Sequence, residues 1–227
     1  MFSRIRALCP GRSIAGIGFY AFVRWLAGVA LLVTFGLRAK NSKNMPATGP
    51  VLVVANHQSH LDPPAIGIIL PRHLTYLARA SLFKNPLFGA FIRGLSSVPL
   101  KEGKGDAAAI RTAIEQLGMG RAILIFPEGS RTLDGEMTPF KRGVWLLLSR
   151  AKCPVLPVGI DGAFEAWPRG TSLPRLFRGN RVAIEVGEPI ASEMLLAMKP
   201  DDGLALLAER INTLRLKARA FNASRKR

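Results

Sequence analysis

Two short polar clusters in this 227-residue chain have residue types and spacings that could do chemistry. The first is Asn56-His57-Gln58-Ser59-His60-Leu61-Asp62, after the apolar run 51–55 and before Pro63-Pro64. An imidazole held by a carboxylate is a usable general base, because the carboxylate fixes the tautomer and stabilises the imidazolium. His57 paired with Asp62 could take the proton of an alcohol that attacks an activated acyl group. Asp62 also has an ordinary explanation, since an aspartate ahead of two prolines is a favoured helix N-cap. A metal site built on His57, His60 and Asp62 would lack further ligands nearby. His73 is the only other histidine, and no cysteine is close in sequence. No metal is expected.

The second cluster is Phe126-Pro127-Glu128-Gly129-Ser130-Arg131, at the end of the apolar run 122–126. It puts a carboxylate, a conformationally permissive glycine, a hydroxyl and a guanidinium at four successive positions. Glycine lets backbone approach a ligand closely, and arginine offers a fork that fits two phosphate oxygens at once. A surface turn closed by a Glu–Arg ion pair would use the same residues. Further on, Lys141-Arg142-Gly143 opens a helical pattern. Cations there oppose the helix macrodipole, so a bound anion would account for them, as would a solvated helix start.

Both clusters need elements to bring them together. Charge-free runs at 51–55 and 122–126 read as buried strands, and Pro63-Pro64 suits a first helical turn. Further strands are expected at 74–78, 97–100, 155–160 and 181–186. Helices are expected at 64–70, 81–95 (with two turns), 106–117, 140–151 and 203–221. Strands separated by helices predict an α/β fold with a mostly parallel central sheet flanked by helices. In such sheets ligands and catalytic groups collect where strands end and helices begin. In the last helix Leu204, Leu207, Ile211, Leu214 and Ala218 form one apolar stripe. Arg210, Arg215, Lys217 and Arg219 lie off it, as a solvated basic face.

The net charge is +17 and the isoelectric point near 11.2, which call for an anionic partner or surface. The charge is unevenly spread. Residues 1–61 hold seven Arg and Lys and no acid, and the stretch after Glu209 adds seven more, again with no acid. Aromatic residues are few and no nucleic-acid-binding signature is present, so lipid is the expected partner and nucleic acid is not. Residues 14–37 are the most apolar stretch and just long enough to span a bilayer. Arg24 near the middle would cost roughly 2.5–3.5 kcal/mol at a bilayer centre. A helix or helix pair lying in one leaflet, with Arg24 reaching the headgroups, is the preferred reading over a buried core helix. Residues 1–45 are thus read as a basic, apolar, membrane-associating segment and 46–227 as the globular domain, with 41–50 as linker. Cys9 and Cys153 give neither a disulfide framework nor a metal spacing, which leaves a reducing, cytoplasm-facing compartment as the default.

With both clusters in hand, the chain resembles the glycerolipid acyltransferases typified by 1-acyl-sn-glycerol-3-phosphate acyltransferase. The resemblance runs over about residues 51–190. It rests on Asn-His-x-x-x-x-Asp at 56–62, Phe-Pro-Glu-Gly-Ser-Arg at 126–131 and Val-Leu-Pro-Val-Gly-Ile at 155–160. It implies that His57 is the general base and Asp62 its charge partner. It also implies that Glu128, Gly129, Ser130 and Arg131 belong to the acceptor site around a glycerol phosphate. His60 matches no required position. The family usually has an arginine at the end of a short strand between the two blocks; here Lys101 is nearest and Glu102 follows it. Lysine supplies charge without the bidentate fork. Arg79, Arg93 and Lys104 are the other cations that could stand in.

The implied activity is acyl transfer from a thioester, acyl-CoA or acyl carrier protein, to the free hydroxyl of 1-acyl-sn-glycerol 3-phosphate, forming phosphatidate at the cytoplasmic face of a membrane. It needs no cofactor beyond the donor. Another lysophospholipid or a lyso-amino-acid lipid as acceptor is the alternative that Val98–Glu102 raises. A non-catalytic basic membrane- or nucleic-acid-binding protein is the reading from another class.

Overall fold

In the computed structural model the described residues are 11, 13–100 and 105–224. A long helix α1 (Ile14–Phe35) leads into a short strand β1 (Arg38–Lys40). The globular part then runs β2 (Val51–Ala55), α2 (Asp62–Ile69), β3 (Leu74–Arg79), α3 (Pro86–Gly94), β4 (Ser97–Leu100), α4 (Gly105–Gly118) and β5 (Ala122–Ile125). It continues with α5 (Gly143–Ala151), β6 (Val155–Asp161), α6 (Ala163–Ala166), β7 (Ala183–Val186), α7 (Ser192–Leu196) and α8 (Pro200–Ala223).

The seven strands form one sheet in the order β1-β7-β6-β2-β5-β3-β4. Neighbours are parallel except β6 and β7, so β1 and β7 run against the other five. The expected α/β fold with a mostly parallel sheet is therefore what the chain adopts. β2 lies between β5 and β6, and all five of its residues are fully buried. Its side chains alternate between two cores, as strand geometry requires. Val51, Val53 and Ala55 meet Ala65, Ile66 and Leu70 on one face. Leu52 and Val54 meet residues of α4, α5 and α8 on the other. An all-apolar strand with both faces covered is the usual centre of a parallel sheet. Because β6, β2 and β5 are parallel neighbours, the turns that follow them open at one sheet edge.

The expected solvated basic face of the last helix is corrected in part. The apolar stripe of α8 is buried as predicted, but Arg215 is buried with it, only 3% exposed. Arg215 Nη2 donates to Glu136 at 2.6 Å, and Arg219 bridges Glu136 and Asp161 at 2.9 and 3.0 Å. The helix can lie this close because Gly159 in β6 has no side chain. A Cβ there would stand 2.2 Å from the backbone nitrogen of Arg215.

The role expected for Arg24 is also corrected. Its guanidinium does not reach outward; Nε and Nη2 donate to the carbonyl of Ile68 at 3.1 and 2.8 Å. That carbonyl belongs to the last turn of α2, where such groups lack helical partners and a cation is favoured. Tyr20 reinforces the contact, stacking on His73 at 3.8 Å. α1 is long and apolar enough to cross a membrane, yet it lies along the domain instead of projecting from it. Its outer face exposes Phe22, Trp25, Leu26, Leu32 and Val33. β1, just after it, pairs with β7 and so joins residues 38–40 to the sheet, upstream of the linker.

Candidate active site

At the end of β2, the carboxylate of Asp62 turns back toward the chain that precedes it. One oxygen, Oδ2, takes the backbone N–H of Gln58 at 2.6 Å and of Ser59 at 2.7 Å, and lies 2.8 Å from His57 Nδ1. The N-cap of α2 is Leu61, and Asp62 is the first residue inside the helix. The capping role weighed from sequence is not what its side chain does. Two amide donors aimed at Oδ2 make that oxygen an acceptor, so His57 Nδ1 must be the donor. The lone pair then sits on Nε2, the nitrogen turned away from the carboxylate. Asp62 is fully buried and His57 is 17% exposed. Burial pushes the Asp62 carboxyl up, and the bonds from His57, Ser59 and Gln58 pull it back toward the charged form.

Three contacts hold the imidazole in place. Its ring stacks on Phe126 with centroids 3.9 Å apart and 15° between the planes. Its backbone N–H donates to Glu128 Oε1 at 2.7 Å, and its carbonyl accepts from Thr132 N at 2.9 Å. Behind it, Asn56 ties β2 to β6 as a strand residue would. Its amide donates to the Ile160 carbonyl at 2.9 Å and accepts from the Ile160 N–H at 2.8 Å.

Glu128, expected at the acceptor site, is 4% exposed, and both its oxygens accept hydrogen bonds from the protein. Oε1 takes His57 N, and Oε2 takes the N–H and hydroxyl of Thr138, both at 2.9 Å. Burial raises its pKa, opposed by the Thr138 and His57 donors. Its geometry is that of a brace between the two motifs.

The neighbours of Glu128 do face outward. Gly129 has φ +71° and is exposed, as is Ser130. A Cβ on Gly129 would lie 2.6 Å from Cε of Lys141, whose side chain covers the turn and whose N–H closes it on Pro127 O at 2.9 Å. Arg131 is half-buried close enough to His60 for its charge to help burial lower that histidine's pKa. Arg142 points elsewhere, to Asp201 at 3.3 Å, with both side chains exposed. Lys101, Glu102 and Lys104 lie outside the described residues, and Arg93 lies over the ring of Phe83. Among the described residues no three His, Cys, Asp or Glu side chains gather as a metal site. Cys153 is buried, its thiol pushed up to about 11.

A histidine with its carboxylate, beside a turn of exposed Gly129 and Ser130 and half-buried Arg131, sets a proton acceptor near a cation, an arrangement that can serve an anionic substrate. Comparison with known proteins bears on this directly. The family model described as Acyltransferase matches residues 36–161, more than half of the chain, and includes both motifs. The chain belongs to the acyltransferase family.

This acyltransferase is 27% identical over 194 residues to the 1-acyl-sn-glycerol-3-phosphate acyltransferase of Bacillus subtilis, covering 85% of this chain and 93% of that one. It is 31% identical over 205 residues to the lyso-ornithine lipid O-acyltransferase of Pseudomonas aeruginosa, covering 84% and 78%. Its fold matches the crystal structure of the 1-acyl-sn-glycerophosphate acyltransferase of Thermotoga maritima with a TM-score of 0.74. That match has 27% identity and covers 90% of this chain and 80% of the other. The resemblance read from the motifs is thus borne out, and the chain is an O-acyltransferase.

Several residues of the acyltransferase site carry no signal in the sequence. Thr138 braces Glu128 from ten positions away. Trp167 accepts through its carbonyl from Ser59 Oγ at 2.8 Å and meets the His60 ring edge-on at 5.3 Å. Arg169 Nη1 donates to the Arg131 carbonyl at 2.9 Å. The Gln58 amide donates to the Gly135 carbonyl at 2.9 Å, linking the first motif to the loop that Arg215 and Arg219 hold through Glu136. Of these, only Gln58 stands inside a motif.

Proposed function

We propose that this acyltransferase moves a fatty acyl group from an acyl thioester to the free hydroxyl of 1-acyl-sn-glycerol 3-phosphate, forming phosphatidate at the cytoplasmic face of a membrane. The observation that carries the reading is the orientation of His57, with Nδ1 on Asp62 and Nε2 left as the basic nitrogen.

Nε2 takes the hydroxyl proton as the oxygen attacks the thioester carbonyl. A tetrahedral oxyanion forms, with His57 now an imidazolium facing the Asp62 carboxylate. Collapse re-forms the carbonyl and breaks the C–S bond; the departing thiolate takes the proton from His57, which returns to its starting state. Proximity supplies much of the rate, and the acceptor phosphate is the handle. Arg131 and Ser130 hold it, with the Gly129 backbone, and Lys101 adds charge. Glu128 and Thr138 act on the position of His57. The sequence of steps uses no cofactor or metal besides the donor.

Purified protein with labelled lysophosphatidate and each donor in turn, acyl-CoA and acyl carrier protein, tests the reading. Phosphatidate formation that disappears in His57→Ala is expected. Acyl transfer at near wild-type rate in a folded His57→Ala protein would refute the mechanism.

A second acceptor class has its own support. The relative from Pseudomonas aeruginosa is named for a lyso-ornithine lipid, and Lys101-Glu102 stands where the family usually has arginine. Faster turnover on lyso-ornithine lipid than on lysophosphatidate would assign the enzyme to that acceptor.

A further inference from the structure

Between α6 and β7 the chain makes a long surface loop, Pro168-Arg-Gly-Thr-Ser-Leu-Pro-Arg-Leu-Phe-Arg-Gly-Asn-Arg181. It holds four arginines and no acid. Its tip exposes Leu173 at 77%, Phe177 at 71% and Leu176 at 47%. Contiguous exposed apolar side chains need a reason in a soluble protein. Collapse onto the core is prevented by the way the loop is held at its neck. Arg175 N donates to the Ala166 carbonyl at 2.7 Å, and Trp167 Nε1 donates to the Thr171 carbonyl at 3.0 Å. Phe177 itself sits at φ +55°, a conformation that turns the chain at the tip.

The two ends of the loop are equally specific. At its start, Trp167 and Arg169 touch Ser59, His60 and Arg131, the rim of the active site. At its end, Val182 N donates to the Phe35 carbonyl at 3.0 Å and Val182 O accepts from Arg38 N at 3.1 Å. The loop therefore runs from the catalytic rim to the C-terminus of α1, whose outer face is apolar along its length.

We propose that residues 173–178 form a second membrane contact, which dips into the interface of an anionic phospholipid bilayer. Leu173, Leu176 and Phe177 lie at the boundary of headgroups and acyl chains, and Arg175 and Arg178 meet lipid phosphates. Apolar side chains interleaved with arginine suit this environment, because the rings and branches leave water while the guanidinium heads stay with phosphate. The contact continues the α1 surface and ends at the rim that holds Arg131. An amphiphilic acceptor can slide along it with its phosphate at headgroup depth and its hydroxyl near His57. The loop contact does not depend on which acceptor is used.

The test uses the full chain with Cys9→Ser and Phe177→Cys, the new thiol carrying an environment-sensitive fluorophore. Vesicles of phosphatidylcholine containing phosphatidylglycerol should shift its emission to the blue, and brominated acyl chains should quench it. Leu173→Ser with Phe177→Ser should weaken vesicle binding on the order of tenfold or more. Its turnover on acceptor dispersed as monomers should stay near wild type, which also shows that it folds. Arg175→Gln and Arg178→Gln should each weaken binding about fivefold and flatten its salt dependence. An unshifted fluorophore on vesicle-bound protein overturns the proposal. So does a shift given by acidic acyl carrier protein and not by vesicles, which would assign the loop to the donor. The fluorescence arm needs no turnover, so an error in the assigned reaction would not disturb it.

Discussion

The backbone N–H of His57 is bound by the carboxylate of Glu128 at 2.7 Å, across 71 residues of sequence. The other oxygen of that carboxylate is spent on Thr138. Glu128 thus ties the position of His57 to Thr138, with both its oxygens spent inside the protein. Glutamine has one acceptor oxygen, so Glu128→Gln must give up the His57 or the Thr138 contact. It should lower turnover by about 10- to 100-fold, the scale of a small misplacement of a catalytic group, and cost about 1–3 kcal/mol of stability. KM for the acceptor should stay within about threefold. Steady-state kinetics decides: a large rise in KM at unchanged kcat would return Glu128 to the acceptor site.

Asp62 separates catalysis from stability. Asp62→Asn keeps an oxygen for the Gln58 and Ser59 amides but no longer stabilises an imidazolium. Turnover should fall on the order of 10³-fold or more. Stability should move the other way with pH. Burial raises the Asp62 pKa above its ordinary 3.8, so between the two values the folded state binds more protons than the unfolded one. Wild type should therefore lose stability relative to Asp62→Asn as pH rises from the ordinary value through the raised one. Thermal melts of both proteins from pH 3 to about pH 8 give the comparison. A difference that grows on acidification instead would mean that the carboxyl is held below its ordinary value.

His60 serves as the internal control. It is largely exposed, carries none of the Asp62 bonds and is kept below its ordinary pKa of 6.5 by partial desolvation and by the charge of Arg131. His60→Gln should keep turnover within about fivefold of wild type, which is about 1 kcal/mol of barrier. Loss comparable to His57→Ala would make it the base.

The strands, their parallel arrangement and the two chemical turns were legible because each rests on local pattern. Val51 to Ala55 is uniformly apolar, Pro63-Pro64 opens a helix, and Glu128 to Arg131 follows a charge-free run. What was not legible depends on which chain segments meet. Asp62 reads as a cap from its neighbours in sequence, and only the fold of residues 57–59 shows its oxygen aimed backward. Arg24 reads as a headgroup ligand until α2 supplies the Ile68 carbonyl. Arg215 reads as solvated because helical spacing puts it off the stripe. Yet Gly159 lets the helix so close that the guanidinium is enclosed and Glu136 becomes its partner. β1 is too short to leave a strand pattern of its own.

The Arg215–Glu136 pair predicts a stability change of definite sign. Glu136 is held below its ordinary value, first by the bond from Arg215 and then by that from Arg219. A depressed carboxyl contributes stability above its unfolded pKa, and loses it as pH falls through the folded one. Arg215→Met should destabilise by about 1–3 kcal/mol at pH 7, since a buried partner is lost but Glu136 is half-exposed. Arg219→Ala, on the exposed side of the network, should cost under about 1 kcal/mol. The deficit of Arg215→Met should shrink below the ordinary glutamate value of 4.5. Urea midpoints at two pH values measure it. A pH-independent deficit would mean that Arg215 acts through packing and not through charge.

Arg24 decides how α1 is held. If the helix is fixed to the domain through the Ile68 carbonyl, Arg24→Leu leaves that carbonyl at the end of α2 without its charged donor. The expected loss is about 1.5–3 kcal/mol in detergent-solubilised protein, with α1 loosened from α2 and faster amide exchange in residues 66–70. Binding to anionic vesicles should change little, because the guanidinium is engaged with the protein and leucine adds apolar surface to a helix already rich in it. An arginine that instead reached headgroups would give the opposite pattern: stability unchanged in detergent, and anionic-lipid affinity reduced about fivefold. Chemical denaturation in detergent and vesicle binding of the same two proteins separate these outcomes. The hydrogen bonds at 2.8 and 3.1 Å favour the first.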